Sequence, residues 1–256
     1  MPTFSRRKFL SRSGAATLGT TIGLSGLHAH AHPGTGENKL KIVVVGAHPD
    51  DPETMCGGAM ALYATMGHEV VSAYLTRGEA GIEGKSHEEA AKIRTAEALA
   101  ACAILKVRPA FLGQIDGGCE ITPERYSQIF DFLKAEAPDI LITHWPVDTH
   151  RDHRICSILV YDAWLSLGQQ PAFYYGEVMT GIQSQNFSPT DYLDITGVVK
   201  LKHDACFAHV SQKIEETYPD DHGKMEVFRG MESGYAFAEA FVRHVRSREP
   251  GILSCK

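Results

Sequence analysis

Two short segments of the chain hold most of the side chains that could do chemistry. One is Ala47-His48-Pro49-Asp50-Asp51. The other is His144-Trp145-Pro146-Val147-Asp148-Thr149-His150-Arg151-Asp152-His153. A single His-x-x-Asp in a polar loop means little, but two such clusters at the same edge of one sheet are a stronger signal. Adjacent Asp50 and Asp51 would repel each other without a cation or strong donors, and a divalent metal supplies that compensation. His48, Asp51 and His153 make a two-His, one-carboxylate set that leaves one position open for water, the form of a catalytic zinc site. Zinc there would bring the water's pKa down to about 7 and polarise a carbonyl. Asp50 sits beside a ligand and is placed to take the water's proton. His150 would face the oxyanion as an imidazolium, with Asp152 orienting it and keeping it protonated.

The elements that must position these residues follow from the hydrophobic pattern. Leu40 to Val45 is a continuous apolar run, as expected of a strand buried on both faces. Met55, Ala59, Leu62, Tyr63 and Met66 recur at helical spacing over Thr54 to Gly67. Further strands are expected at Glu69–Leu75, Arg108–Leu112 and Asp139–Thr143, and helices at His87–Leu105, from Thr122-Pro123 to about Ala137, and from near His153 to Ser166. Thr122 suits an N-cap and Pro123 the first helical position. Strand and helix alternate, which implies a Rossmann-like three-layer α/β/α fold with a mostly parallel central sheet. Ligands of such sheets bind beyond the carboxyl ends of the strands, where both clusters fall. After Gln169 the pattern blurs. A strand at Ala172–Val178, a helix at Val198–Ile214 and a terminal helix at Ser233–Val245 are the readings it allows.

The bulk numbers are those of an ordinary globular protein: 256 residues, 43% hydrophobic and 22% charged. A formal net charge of −6 argues against nucleic acid as a partner. The six cysteines include no CxxC pair, so they read as small buried hydrophobes rather than as a disulfide or zinc framework. The N-terminus is more telling. Ser5-Arg6-Arg7-Lys8-Phe9-Leu10 precedes a mildly apolar stretch from Gly14 to Leu27, and Ala29-His30-Ala31 is a small-x-small site. Residues 1–31 therefore read as a twin-arginine export signal removed on maturation, leaving a domain at 32–256 in the periplasm or outside the cell. The apolar stretch is too short and weak for a stable membrane span.

The two clusters together resemble the LmbE-like, PIG-L-type zinc de-N-acetylases, whose signatures are A-H-P-D-D-[E/P] and a downstream H-x-D-H. That resemblance implies zinc on His48, Asp51 and His153, Asp50 as the base, and His150 with Asp152 as the oxyanion-stabilising pair. It extends to Leu75-Thr76-Arg77-Gly78-Glu79, to Arg94 with Glu97, and to Phe111-Leu112-Gly113 followed by Asp116-Gly117. A looser K-x-x-A-x-x-x-H-x-x-Q pattern falls on Lys202, Ala205, His209 and Gln212. The likeness covers roughly Lys39 to Gln212. It implies that Arg94 and Asp116 contact a sugar-like substrate, an acetylated amino sugar or glycoconjugate. On spacing alone, Arg94 with Glu97 would be a surface ion pair and Asp116-Gly117-Gly118 a turn. Pro52 stands where many members have Glu, which bears on the surroundings of the site rather than on a ligand.

The leading expectation is hydrolytic removal of an N-acetyl group from an N-acetylglucosamine-like substrate. A non-catalytic exported metal- or sugar-binding protein is the alternative, though it would need neither Asp50 beside a ligand nor the His150–Asp152 pair. Non-haem iron oxygenases share the two-His, one-carboxylate triad but usually use β-barrels. A dinucleotide binder would need a G-x-G-x-x-G after the first strand, which is missing.

Overall fold

The computed structural model describes residues 39–247 and 251–252. The expected export signal at 1–31 and Cys255 lie outside the described residues. The five cysteines within them are free and buried.

β1 (Lys41–Gly46) is the hub of the fold. Ile42 and Val44 point into one apolar core, and Val43 and Val45 into the other. Successive side chains of a strand face opposite ways, so a strand covered on both faces must be apolar throughout. That is why the run reads as unbroken Ile-Val-Val-Val. β1 pairs in parallel with β2 (Glu69–Tyr74) on one side and β4 (Ile140–His144) on the other. β3 (Arg108–Phe111) extends the sheet beyond β2, and β5 (Ala172–Gly176) extends it beyond β4. The full order is β3-β2-β1-β4-β5-β7-β6. Chain order reverses between β1 and β4, which is the switch point where open α/β sheets bind ligands. β7 (Ala238–Arg243) is antiparallel to both β5 and β6 (Asp191–Asp194).

Helices cover both faces. α1 (Asp51–Thr65) and α2 (His87–Leu105) contribute to the core beside Ile42, together with α5 (Val199–Phe207). α3 (Pro123–Glu136) and α4 (Arg151–Ser166) cover the core beside Val43. Their starts follow local chemistry. Ser86 and Glu89 close a capping box on α2, and the Arg125 N–H donates to Thr122 at the start of α3. α6 (Ile214–Thr217) is short, and α7 (His222–Ser233) follows it.

α1 departs from a regular helix. Cys56 has φ −150° and ψ 34°, so the element is two helical pieces joined at a kink. The Gly58 and Ala59 N–H groups beyond the kink donate to the Glu239 carboxylate, each at 2.8 Å. A β7 side chain thus supplies the cap that the second piece lacks locally. Gly57 and Gly58 lie at close approaches: a Cβ at Gly57 would fall 2.9 Å from Lys202 Cγ, and one at Gly58 would fall 2.5 Å from Ile195 Cγ2.

The C-terminal third corrects two expectations. Ser233–Val245 is not a helix; α7 ends at Ser233 and Ala238–Arg243 is a strand. The helix expected over Val198–Ile214 stops at Phe207, with a 3-10 turn over Val210–Gln212. In β7, Ala238, Ala240 and Val242 alternate with Glu239, Phe241 and Arg243. Glu239 is buried against Lys202, which hides the polar–apolar contrast that marks a half-exposed strand.

Candidate metal centre and active site

The loop after β1 and the loop after β4 meet beside the switch point, and α1 and α4 begin from them. His48 is 6% exposed, Asp51 4% and His153 2%, so the expected ligands share one buried cluster. Asp51 bridges them. Its Oδ2 lies 3.1 Å from His48 Nδ1, and its Oδ1 lies 3.2 Å from His153 Nε2. The His48 backbone N–H also donates to Asp51 Oδ2 at 2.6 Å.

More groups converge here than the spacing indicates. His144 stacks on His153 with ring centroids 4.1 Å apart, and its Nε2 accepts from the Ala47 N–H at 2.9 Å. Asp148 Oδ1 lies 3.2 Å from His153 Nδ1, the position of a carboxylate that orients a metal-binding imidazole. The Asp-x-x-x-x-His spacing of Asp148 and His153 is visible in the sequence, but its meaning depends on α4 starting between them. Among the described residues, three groups have ligand-type atoms all within 4.8 Å of one another: His48–His150–His153, Asp51–His144–His153 and His48–Asp116–Asp152. Each contains at least one expected ligand, and together they add His144, His150, Asp116 and Asp152 to the surroundings.

Charge in the cluster is strongly redistributed. Burial opposes a proton on His48, but Asp116, Asp152 and Asp51 outweigh it and raise its pKa well above the usual imidazole value. Burial likewise opposes a charge on His153, yet Asp51 and Asp148 push its pKa up to about 9. Burial would raise the Asp51 pKa, but His153 and His144 hold it far below the carboxylate range. His144 falls to about 4 through burial and the neighbouring His153. Imidazoles thus stand among ionised carboxylates, and His48 Nε2 and His153 Nδ1 are buried without a directed hydrogen bond among the described residues. Such a set of converging imidazole and carboxylate groups suits a divalent ion such as zinc.

Asp50 has φ 121°, outside the range comfortable for a residue with a Cβ. Such strain is held by surrounding structure and gathers at functional sites. Here the Arg94 guanidinium holds it, donating to the Pro49 carbonyl and, at 2.8 Å, to Asp50 Oδ2. Burial raises the Asp50 pKa, Arg94 opposes that, and Asp51 adds to it. Arg94 makes no surface pair with Glu97. Glu97 instead accepts from the Ser211 N–H and hydroxyl, each at 2.7 Å. Gly78 and Gly81 pack on Arg94 so closely that a Cβ at either would collide with it.

Asp116 lines the same cleft. Its Oδ1 is 3.2 Å from His48 Nε2, and its Oδ2 accepts from the Ala80 N–H at 3.2 Å. His150 caps α4: the Asp152 N–H donates to its Nδ1 at 3.2 Å. The contact that Asp152 makes with the ring is thus through its backbone rather than its carboxylate. That carboxylate accepts from the Gly117 N–H at 2.7 Å and lies 3.5 Å from His48 Nε2. Burial, then His48 and His153, lower the His150 pKa. A neutral His150 whose Nδ1 is an acceptor carries its proton on Nε2. The cleft has a volume of about 560 Å³, and its remaining lining includes Val178, Gln183, Gln212, Ile214 and His222. Of these, only Gln212 falls in a sequence pattern, the loose one shared with Lys202, Ala205 and His209; the others reach the cleft from the region where periodicity fails.

A Rossmann-like α/β protein with a histidine–aspartate cluster at its switch point is the class that fold and site define. The family model described as PIG-L, GlcNAc-PI de-N-acetylase, matches residues 43–164, which include both loops. The diacetylchitobiose deacetylase of Thermococcus kodakarensis is 28% identical over 239 residues, covering 83% of this chain and 84% of the relative. Among solved structures, a conserved protein from Thermus thermophilus superposes with a TM-score of 0.72 at 25% identity, covering 82% of this chain and 97% of that one. The N,N'-diacetylchitobiose deacetylase of Pyrococcus horikoshii has the same fold, with a TM-score of 0.71 at 24% identity, covering 80% and 83%. Residues 43–164 therefore form a PIG-L family domain, and most of the chain is homologous to a deacetylase.

Proposed function

We propose that the protein is a zinc-dependent hydrolase that removes an N-acetyl group from an N-acetylglucosamine-like substrate. The observation that carries this reading is the strained Asp50 carboxylate, fixed by Arg94 beside Asp51 at the mouth of the histidine cluster. Deacetylation is also the activity named for the Thermococcus kodakarensis relative.

His48, Asp51 and His153 would hold the metal. When bound, it would polarise the amide carbonyl and make a water acidic enough to attack near neutral pH. The chain's own groups perform the remaining tasks. Asp50 takes the attacking water's proton and delivers one to the departing amine. Arg94 keeps the Asp50 carboxylate turned to the cleft. The His150 Nε2–H donates to the oxygen on which negative charge develops, and a neutral ring can do this. Asp148 orients His153, and Asp152 lies against His48 and pins the Gly117 backbone. Asp116 stands beside His48 to receive a substrate group.

Acetate release from N-acetylglucosamine and its β-linked dimer tests the reading. Asp50→Asn should abolish release while leaving bound zinc near one per chain. Full turnover by that variant on every amide cleaved would remove Asp50 as the base. The proposal includes export by the twin-arginine route, on the strength of Ser5-Arg6-Arg7-Lys8-Phe9-Leu10. Replacing Arg6 and Arg7 by Lys should then retain the protein in the cytoplasm.

A further inference from the structure

The cleft holds a buried polar atom that neither the metal cluster nor the proposed chemistry uses. His222, the first residue of α7, lines the cleft and is 8% exposed. Its ring packs on Tyr218 with centroids 5.4 Å apart, and it hydrogen-bonds the Val178 backbone. Its Nδ1 has no partner among the described residues. Burial, opposed in part by Asp221, keeps the ring below the usual imidazole pKa. A neutral ring that donates one N–H to a backbone carbonyl presents a bare lone pair at its other nitrogen. A buried acceptor without a donor is costly, so its presence in a binding cleft asks for a donor from the ligand.

The rest of the lining says what kind of donor. Asp116 is a second acceptor: its carboxylate lines the cleft and accepts from the Ala80 N–H at 3.2 Å. Of the guanidinium in the lining, Arg94 Nη2 is bonded to Asp50 and Pro49, while its Nε is buried without a partner among the described residues. The Gln212 amide N–H groups go to Gly81 and Ser211. Around His222 and Asp116 the open groups are acceptors, which suits a ligand part offering hydroxyl donors.

We infer that His222 is a specificity-determining residue whose Nδ1 accepts a hydrogen bond from a ring hydroxyl of a neutral sugar amide. This rests on the deacetylase reading, and it assigns the C-terminal segment the role of recognising the sugar rather than the acetyl group.

The test compares wild type with His222→Gln and His222→Asn on N-acetylglucosamine and its monodeoxy analogues, and titrates each protein with glucosamine. The glutamine keeps a donor for the Val178 carbonyl and removes the Nδ1 acceptor. It should raise KM and weaken glucosamine binding roughly tenfold, the effect of one hydrogen bond, with kcat within about twofold. One deoxy analogue should cost wild type that same factor and cost His222→Gln nothing. His222→Asn, which places a carbonyl oxygen near the old Nδ1, should recover most of the loss. Equal losses in wild type and His222→Gln for every deoxy analogue would overturn the assignment. If the glutamine variant does not fold, nitrogen NMR of wild-type His222 decides: an Nδ1 resonance unmoved by glucosamine overturns it. Glucosamine binding needs no turnover. A protein that binds it through His222 yet releases no acetate would sink the deacetylase reading and leave the recognition role standing.

Discussion

The Arg94 guanidinium and the Asp50 carboxylate form one hydrogen-bonded unit, 2.8 Å apart, with Arg94 also holding the Pro49 carbonyl. Two donors of one rigid fork thereby fix both the backbone and the side chain of a residue at φ 121°. Lysine offers one point charge in place of that fork. Arg94→Lys should lower kcat by about 10–100-fold with zinc content unchanged, as expected when a catalytic group loses its alignment. Steady-state kinetics checks this. A rise in KM with kcat untouched would return Arg94 to the direct substrate contact that the family resemblance implies.

Asp148 backs His153 from outside the proposed ligand set, at 3.2 Å from Nδ1. Removing such a partner typically weakens metal binding by about 10–100-fold. Asp148→Asn should therefore lose zinc to a competing chelator at correspondingly lower chelator concentration, while Asp131→Asn on the exposed face of α3 should not.

Gly58 shows where packing overrides helix propensity. Alanine is favoured over glycine in a helix by about 1 kcal/mol. Here its Cβ would lie 2.5 Å from Ile195 Cγ2 and 3.0 Å from Glu239 Oε1. Overpacking of that kind costs about 1–3 kcal/mol and also pushes on the Glu239 cap. Gly58→Ala should lower Tm, and a raised Tm would show that Ile195 yields freely.

Acid stability should depend on Glu226. It accepts from Tyr218 Oη at 2.6 Å and lies 3.0 Å from Lys202 Nζ. Burial alone would raise its pKa, but Lys202, His203 and Tyr218 bring it down to about 2. A folded-state pKa below the unfolded carboxylate value of about 4.3 means stability that is fully present above that value and fades as pH falls toward about 2. Glu226→Gln should be less stable at neutral pH, and its unfolding free energy should fall less steeply than that of wild type across that window. Parallel curves for the two proteins would rule the linkage out.

The sequence exposes what is local and hides what is assembled. β1 is legible because a strand buried twice over has no polar face, and α2 because Ser86 and Glu89 announce its first turn. His48, Asp50, Asp51, His150 and His153 are legible because each loop carries its chemistry within a few residues. Asp148 is not, because its role depends on which way the first turn of α4 presents His153. β7 reads as helix because Glu239, a charged residue in a strand, is buried by pairing with Lys202 rather than turned to solvent. The cleft wall formed by Gln183, Gln212 and His222 comes from separate turns and helices that only tertiary packing brings together.

The Glu239 cap also sets a timetable for synthesis. The N–H groups it holds belong to Gly58 and Ala59, and it lies 181 residues beyond Gly58. The ribosome must therefore have added 181 further residues before the part of α1 beyond its kink acquires its cap. β6 has no partner until β7 slides between it and β5. A nascent chain that stops short of Glu239 would carry both loops of the candidate site with the helix behind one of them uncapped, so the pocket matures only after β7 is made.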